Sequence, residues 1–326
     1  MCGRSPTYDR SVSSSCGIRR EQMVSSARTV TFPGAVSPRT TLFPLRRGPG
    51  DPCFQVDGDG AIWRTSLLRS GSVTARLTRA AANAVACTAW GSGADEFLDA
   101  LPAMLGADDD PSDFAPANPI VAEAHRRVPH LRLGRTGQVL EALIPAILEQ
   151  RVQGKDAFRA WRLLVTKFGT SAPGPAPDRM RVLPAAEVWR YIPSWEFHLA
   201  NVDPGRARTV VSCAQRASSL ERLTARPAEQ AREALVTLPG VGIWTAAETA
   251  QRAFGDPDAL SVGDYHVPKM IGWTLLGRPI DDAEMVEILE PMRPHRHRVV
   301  QLLYASGLAY EPRRGARLPL QDIRSL

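Results

Sequence analysis

A proline-glycine turn between two helical patterns is the feature that most constrains the fold of this chain. Residues 238–246 read Leu-Pro-Gly-Val-Gly-Ile-Trp-Thr-Ala, and the surrounding pattern predicts helices over 228–236 and 243–253. Gly240 and Gly242 allow backbone angles and close approaches that larger residues would obstruct. The first amides of the second helix have no partner within that helix, so they can donate to a phosphate group. Taken alone, the turn is equally well interpreted as a plain helix-helix connection.

Asp264 stands before another helical pattern and is the second constraint. Pro268 falls in the first turn of that pattern, where proline is tolerated because the amides there lack helical partners. We therefore predict that Asp264 is the N-cap of this helix. The apolar stripe of the helix consists of Val267, Met270, Ile271, Thr274 and Leu275. An ordinary capping aspartate stabilises a helix by about 1 kcal/mol; the alternative is a carboxylate held ionised by the helix end and directed into a cleft.

The rest of the chain predicts an α+β protein in two parts. A small amino-terminal α+β domain is expected over 29–115, and an all-α domain over 116–312. Residues 1–28 are predicted to be a disordered tail, and 313–326 a second tail. Four strand-like segments of an antiparallel sheet, and the helix that follows them, are predicted at 53–56, 61–67, 72–78, 83–90 and 94–105.

Four helices of the predicted all-α domain can be recognised from their apolar spacing or from the residues at which they start. A helix over 139–148 contains Pro145, which is expected to kink or divide it, and a second helix is predicted over 154–168. Asp203 and the proline after it predict the start of a helix that runs to about Leu223. Asp281-x-x-Glu284 is a capping box, which predicts one more helix start.

Charge and composition exclude few classes of protein. The chain has 326 residues, 44% of them hydrophobic, so it can bury a sizeable core. Its net charge of +6 and pI of about 9.4 favour a polyanionic partner, without distinguishing nucleic acid from an acidic protein or a membrane surface. No apolar run reaches the ~18 residues of a membrane span, so we expect a cytoplasmic protein with no membrane partner.

Cysteine and histidine spacing predicts no metal site. The five cysteines are scattered and are interpreted as reduced thiols rather than as a disulfide framework or a zinc site. They are Cys2, Cys16, Cys53, Cys87 and Cys213. His295 and His297 are two residues apart, so they would not share one face of a helix.

The two motifs together, Leu-Pro-Gly-Val-Gly-x-Trp-Thr-Ala and then Val-Gly-Asp-Tyr, resemble those of the helix-hairpin-helix DNA glycosylase superfamily, nearest the 3-methyladenine DNA glycosylase II family. The resemblance covers roughly 137–308 and is strongest over 238–275. It implies a base-excision repair enzyme that flips a damaged, in particular alkylated, purine out of double-stranded DNA and hydrolyses its N-glycosidic bond. Asp264 matches the catalytic aspartate that stabilises the oxocarbenium sugar and positions the attacking water. We expect a monomer that acts on DNA containing damaged bases.

The resemblance also implies the surrounding site residues. Relatives with lyase activity carry a lysine at the position of Trp244, and an indole cannot form a Schiff base, so a monofunctional enzyme is expected. The base-pocket candidates are Trp244, Tyr265, Trp195, Glu248 and His295. The DNA-backbone candidates are Pro239, Gly240, Val241, Gly242, Thr245, Arg296 and Arg298. Gln150 and Arg151 match the wedge loop that enters the gap left by the flipped base.

Several of these positions have a plainer interpretation. Trp244 and Tyr265 offer π faces to a cationic purine, although core packing explains aromatic residues as well. Glu248 and His295 stand where relatives place aromatic side chains. The basic run at 293–298 is a candidate phosphate-contacting patch, whereas a solvated helix face is the default for such charge.

No cofactor is expected to be required. No cysteine follows Cys213, so the iron-sulfur cluster of some relatives cannot form with four thiolates. The resemblance allows an alkali cation on the main-chain carbonyls of Val236, Leu238 and Val241.

Two alternatives remain open from the sequence. The first is an enzyme of the same fold that acts on oxidised or deaminated bases, because the pocket positions depart from those of alkylation-specific relatives. The second is a non-catalytic DNA-binding protein, in which Asp264 only caps its helix and the hairpin supplies the affinity.

Overall fold

An antiparallel sheet and a helical bundle make up the part of the chain that the structure, a computed structural model, describes: residues 25–312 and residue 322. Residues 1–24 of the tail predicted over 1–28, and the tail predicted over 313–326 apart from residue 322, lie outside the described residues, as do Cys2 and Cys16. The α+β class is therefore confirmed. The division into domains at residue 115 stays a prediction.

The sheet has five antiparallel strands in the order β1-β5-β4-β3-β2. They are β1 (Ser25–Thr31), β2 (Phe54–Val56), β3 (Ile62–Leu68), β4 (Gly71–Ala81) and β5 (Ala84–Trp90). Helices α1 (Pro38–Leu42) and α2 (Ala94–Met104) belong to the same part, and Phe97 and Leu101 of α2 are buried with Val73 and Val85 of the sheet. The sequence predicted β2 to β5 and α2, with bounds that differ by a few residues.

Strand β1 corrects the prediction of a tail over 1–28. Residues Ser25 to Arg28 pair with Trp90 to Cys87 of β5 at the edge of the sheet. Most β1 side chains are exposed, and Val30 is the one buried residue among them. An edge strand with so few buried residues lacks the apolar alternation by which strands are recognised, which explains why the sequence pattern did not show it.

The helical part contains twelve α-helices among the described residues. They are α3 (Pro119–Arg127), α4 (Val139–Leu148), α5 (Gly154–Phe168), α6 (Ala186–Trp189), α7 (Ser194–Leu199), α8 (Pro204–Gln215), α9 (Ala217–Glu221), α10 (Ala228–Val236), α11 (Ile243–Ala253), α12 (Val267–Leu276), α13 (Asp282–Leu289) and α14 (Arg296–Ser306). A two-stranded hairpin, β6 (Thr170–Ser171) and β7 (Arg181–Val182), interrupts them, so this part is not purely α.

Three helix predictions have instructive outcomes. Pro145 does not divide α4, which is continuous over its ten residues. Asp203 caps α8 as predicted, accepting hydrogen bonds from the Gly205 and Arg206 amides, but α8 ends at Gln215 and not near Leu223. Asp281 caps α13 by accepting from the amide of Glu284 at 2.9 Å, as the capping box predicted.

Two hydrophobic clusters flank the hairpin region of the helical part. One contains Val241 and Ala246 together with residues of α4, α5 and α8. The other contains Met270 and Ile271 of α12 together with residues of α3, α13 and α14. Helices α11 and α12 thus contribute to different large clusters, and a smaller cluster of Ala247, Ala250 and Ala259 packs α11 against the segment that leads to α12.

Polar contacts join the sheet to the helical part. The Arg252 Nε of α11 donates to the Pro44 carbonyl at 3.1 Å, and Arg47 Nη1 pairs with Glu149 Oε1 at 3.1 Å. Both guanidinium groups are largely buried. These contacts attach α11 and the end of α4 to the sheet part of the chain.

Candidate active site

The turn between α10 and α11 forms the predicted hairpin. Gly240 has a φ of +85°, and a Cβ there would collide with Thr209 Oγ1 on α8, so this position requires glycine for two reasons. The Val241 amide closes the turn by donating to the Leu238 carbonyl at 3.0 Å. Gly242 has an ordinary φ of −90°, and a Cβ there would meet no described protein atom within 4 Å. The protein itself leaves the space beside Gly242 open.

Asp264 is fixed by three N–H donors. Its Oδ1 accepts from the amides of His266 at 2.7 Å and Val267 at 3.0 Å, and its Oδ2 accepts from the indole Nε1 of Trp244 at 3.0 Å. Helix α12 begins at Val267, so Asp264 precedes the N-cap position that the sequence predicted for it, although its side chain still caps the helix. Because the side chain is only partly buried, the carboxylate is both oriented and accessible.

Glu248 follows Trp244 by one turn of α11, on the same face. Its Oε1 accepts from Ser261 Oγ at 2.6 Å, and its Oε2 from Arg252 Nη1 at 2.7 Å. Burial alone would raise the pKa of Glu248, but the charge of Arg252, the Ser261 hydrogen bond and the charge of Arg47 hold it below the usual value. Glu248 is therefore an ionised, largely buried carboxylate near the Trp244–Asp264 pair.

Helix α14 contributes two residues, Tyr304 and His297, that the sequence analysis did not assign to the site. Tyr304 is half-exposed, and its partial burial, together with the charges of Asp264, Glu311 and Glu248, raises its pKa to about 12, so its hydroxyl stays protonated. Burial lowers the pKa of His297 to about 3, so its imidazole is neutral. The two residues are two helical turns apart and share a face of α14, which is the one signal in the sequence that connects them.

Two other predicted pocket residues lie at the surface. The Tyr265 side chain is 69% exposed, and the Lys269 ammonium lies 3.2 Å from the centroid of its ring, so that face is covered. Trp195 is 63% exposed on α7, which packs against α5 and α8. Among the described contacts, neither ring meets Asp264 or Trp244.

His295, Arg296 and Arg298 require a correction, because all three side chains are buried. The Arg298 guanidinium pairs with both carboxylate oxygens of Asp109, and its Nε donates to His295 Nδ1 at 3.0 Å. His295 Nε2 lies 2.7 Å from Asp113 Oδ1. Arg296 pairs with Asp258 through Nε at 2.8 Å and Nη2 at 2.6 Å. The predictions that these arginines contact phosphate and that His295 lines the base pocket are wrong, because the side chains serve a buried network.

The predicted wedge loop contacts the hairpin directly. Gln150 Nε2 donates to the Gly240 carbonyl at 2.9 Å and to Thr245 Oγ1 at 2.8 Å. The Thr245 side chain is thus buried and turned inward, and Val241 is buried as well, so their side chains do not reach the surface. Arg151, next in the loop, is exposed and has a φ of +53°, a strained value for a residue with a side chain.

No cluster of three or more His, Cys, Asp and Glu side chains is arranged to hold a metal ion in the part of the chain that the structure describes. Cys53, Cys87 and Cys213 are buried free thiols, and burial raises the pKa of each. At the hairpin, the Leu238 carbonyl already accepts the turn hydrogen bond and keeps one lone pair for another partner.

None of the described helices is both long and apolar enough to cross a membrane.

Known proteins resemble this chain in sequence and in fold. No family model matches the chain. A protein of Mycobacterium tuberculosis, the probable bifunctional transcriptional activator/DNA repair enzyme AlkA, is 30% identical over 266 residues. The match covers 76% of this chain and 50% of that protein, so the chain spans about half the length of the curated relatives it matches.

Solved structures share the fold over most of the chain. The 3-methyladenine DNA glycosylase of Archaeoglobus fulgidus has a TM-score of 0.71 at 17% identity, over 86% of this chain and 98% of that one. The apo form of the Clostridium acetobutylicum 8-oxoguanine glycosylase/lyase has a TM-score of 0.68 at 13% identity, over 86% and 97% of the two chains. At these identities the likeness establishes a common architecture.

Proposed function

We propose that this chain is a member of the helix-hairpin-helix DNA glycosylase superfamily near its AlkA-like family, and that it hydrolyses the N-glycosidic bond of damaged purines in double-stranded DNA. One observation carries the proposal. The carboxylate of Asp264 is held by three N–H donors and remains partly accessible, in a protein whose glycine hairpin presents an open Gly242. An ordinary capping aspartate would not need a third donor from another helix.

The chemistry follows from a fixed negative charge. Cleavage of an N-glycosidic bond develops positive charge on the sugar, and a preorganised anion stabilises that charge without reorganising during the reaction. Asp264 supplies the anion, and the remaining lone pair on its Oδ2 can accept a hydrogen bond from the attacking water. The amides at the start of α11, which have no partner within that helix, hold a phosphate of the strand beside the open Gly242, and this contact sets the sugar of the flipped nucleotide beside the carboxylate.

Aromatic and anionic groups favour an alkylated, cationic base. Trp244 and the half-exposed Tyr304 supply π faces, and Glu248 supplies a negative charge nearby. A cationic base is already a good leaving group, so no strong general acid is needed. A second candidate is an oxidised or deaminated base, which the hydrogen-bonding groups of Glu248 and Ser261 favour.

A hydrolytic reaction without strand cleavage is part of the proposal. Trp244 occupies the position at which lyase-active relatives carry lysine, and an indole cannot form a Schiff base. The Lys269 ammonium lies over the exposed Tyr265 ring, and no ion pair joins it to Asp264 among the described residues. The catalytic role of Asp264 and the wedge role of Arg151 likewise belong to this proposal.

We expect the protein to release free methylated purines from alkylated genomic DNA and to leave intact strands that break only on treatment with alkali. Mass spectrometry of the small-molecule fraction identifies the bases, and denaturing gels with and without alkali report strand breaks. Release of oxidised or deaminated bases instead would establish the second candidate. Binding of DNA with no base release would establish the non-catalytic alternative, and strand breakage without alkali would contradict the hydrolytic mechanism.

Gly242 provides a separate test of the phosphate clamp. Gly242→Ala adds a methyl group only to the open space beside the hairpin, so the fold should tolerate it within about 1 kcal/mol of the wild-type free energy of unfolding. The methyl group should block the approach of a phosphate and weaken DNA binding about 10-fold, the equivalent of one charge-assisted hydrogen bond. Fluorescence anisotropy with a labelled duplex measures the dissociation constant.

Gly58→Ala is the matched control, because a Cβ at Gly58 also meets no described protein atom and the residue lies in a turn of the sheet part. This control should bind DNA as the wild type does. Equal affinities of the Gly242→Ala and Gly58→Ala variants would show that the hairpin does not grip the backbone.

A further inference from the structure

The Trp244 indole directs its N–H edge at Asp264. The Nε1–Oδ2 distance is 3.0 Å, and the two backbone amides at the start of α12 occupy Oδ1, so each oxygen of the carboxylate has its own donor. Trp244 lies in the first turn of α11, whereas Asp264 precedes α12. The bond therefore links two helices that pack in different hydrophobic clusters.

We propose that Trp244 is a positioning residue for Asp264, in addition to any face it offers to a base; this inference rests on the proposed glycosylase function. The two amides hold Oδ1 but leave the carboxylate free to pivot about that oxygen. The indole N–H removes the remaining freedom by holding Oδ2. An indole nitrogen donates and does not accept, so the oxygen that it holds is an acceptor oxygen of the Asp264 carboxyl group.

The N–H edge of the indole orients Asp264 and its π face can bind a base, so these two contributions can be tested separately. Hydrogen bonding uses the N–H edge, whereas stacking on a base uses the π face. Trp244→Phe removes the donor and keeps an aromatic face, so it separates orientation of Asp264 from binding of the base. If Trp244 served only as a stacking platform, phenylalanine would preserve most of its contribution to turnover.

We expect Trp244→Phe to lower the single-turnover rate of base release roughly 10- to 100-fold, the range for loss of one hydrogen bond to a charged group. The dissociation constant for a duplex with a single abasic site should change by less than about twofold, because a contact that acts in the transition state alters the rate and not ground-state binding. Enzyme in excess over methylated duplex gives the rate, and anisotropy gives the constant.

Trp63→Phe is the matched control. The Trp63 indole Nε1 also donates to a carboxylate oxygen, Asp57 Oδ2 at 2.6 Å, but within the sheet part of the chain. Both substitutions remove one indole–carboxylate hydrogen bond and keep a ring, so a purely structural effect should appear in the melting temperatures of both variants. Only Trp244→Phe should lose turnover when rates are compared for fully folded protein.

The outcomes separate this inference from the proposed function. Wild-type base release together with loss of rate in Trp244→Phe and not in Trp63→Phe supports the positioning role. Wild-type rate in Trp244→Phe, or weaker abasic-duplex binding with unchanged rate, would overturn it while leaving the glycosylase proposal intact. No base release by the wild-type chain, or full activity of Asp264→Asn, would instead overturn the function on which the inference rests.

Discussion

Replacing Asp264 with asparagine is expected to lower the single-turnover rate of base release about 100- to 1000-fold, the loss typical of removing one preorganised charge-stabilising group. Asparagine keeps a carbonyl oxygen that can accept from the amides of His266 and Val267, and it caps helices as well as aspartate does. The variant loses the negative charge and the oxygen that accepts from the Trp244 indole N–H, and it keeps the cap of α12. It should therefore remain folded and still bind a damaged duplex, which anisotropy and release assays on one preparation can show.

Asp281→Asn is the matched control for this substitution. Asp281 caps α13 through the Glu284 amide at 2.9 Å, so the same change is made at another helix start of the same part of the chain. It should leave the rate of base release unchanged. If Asp264→Asn were as active as Asp281→Asn, Asp264 would be an ordinary cap and the non-catalytic alternative would gain support.

Replacing Arg298 with methionine is expected to lower the free energy of unfolding by about 3–5 kcal/mol, the cost of leaving one member of a buried ion pair without its partner. The Arg298 and Asp109 side chains are 2% and 4% exposed, and Arg298 also donates to His295. Without the guanidinium, the Asp109 carboxylate stays buried and uncompensated. Denaturant unfolding followed by circular dichroism measures the loss.

Two further variants define the cause of that loss. Arg126→Met breaks an ion pair whose arginine side chain is 68% exposed, so it should cost less than about 1 kcal/mol. Arg298→Met combined with Asp109→Leu removes both charges and should recover much of the stability lost in the single variant. Weaker DNA binding by an Arg298→Met protein of wild-type stability would instead support the prediction that Arg298 contacts phosphate, which its burial and its pairing with Asp109 contradict.

Local signals allowed much of the fold to be predicted from the sequence. Residues close together in the chain determine the short strands β2 to β5 with the turns between them, the caps at Asp203 and Asp281, and the bounds of α10 and α11. Contacts between distant residues could not be predicted in this way. The basic run at 293–298 has the pattern of a solvated patch, and only the fold shows that Asp109, Asp113 and Asp258 neutralise it.

For the candidate site, too, local motifs could be predicted from the sequence, whereas contacts between distant residues could not. The Gly240 turn and the capping side chain of Asp264 follow from motifs that belong to one stretch of sequence. The Trp244–Asp264 hydrogen bond and the position of Tyr304 depend on how α11, α12 and α14 pack, which no local pattern encodes. Tyr265 stands next to Asp264 in sequence, yet its ring faces solvent under Lys269.

The two hydrogen bonds of Gln150 have a mechanical consequence for recognition. They join the loop that carries Arg151 to the glycine turn at Gly240 and to Thr245 on α11, so that these segments form one stiff edge. Under the proposed function, a duplex would meet both segments at once and would bend to match them. Weakly stacked or distorted steps, which bend at the lowest cost, would then be sampled first during a search along DNA.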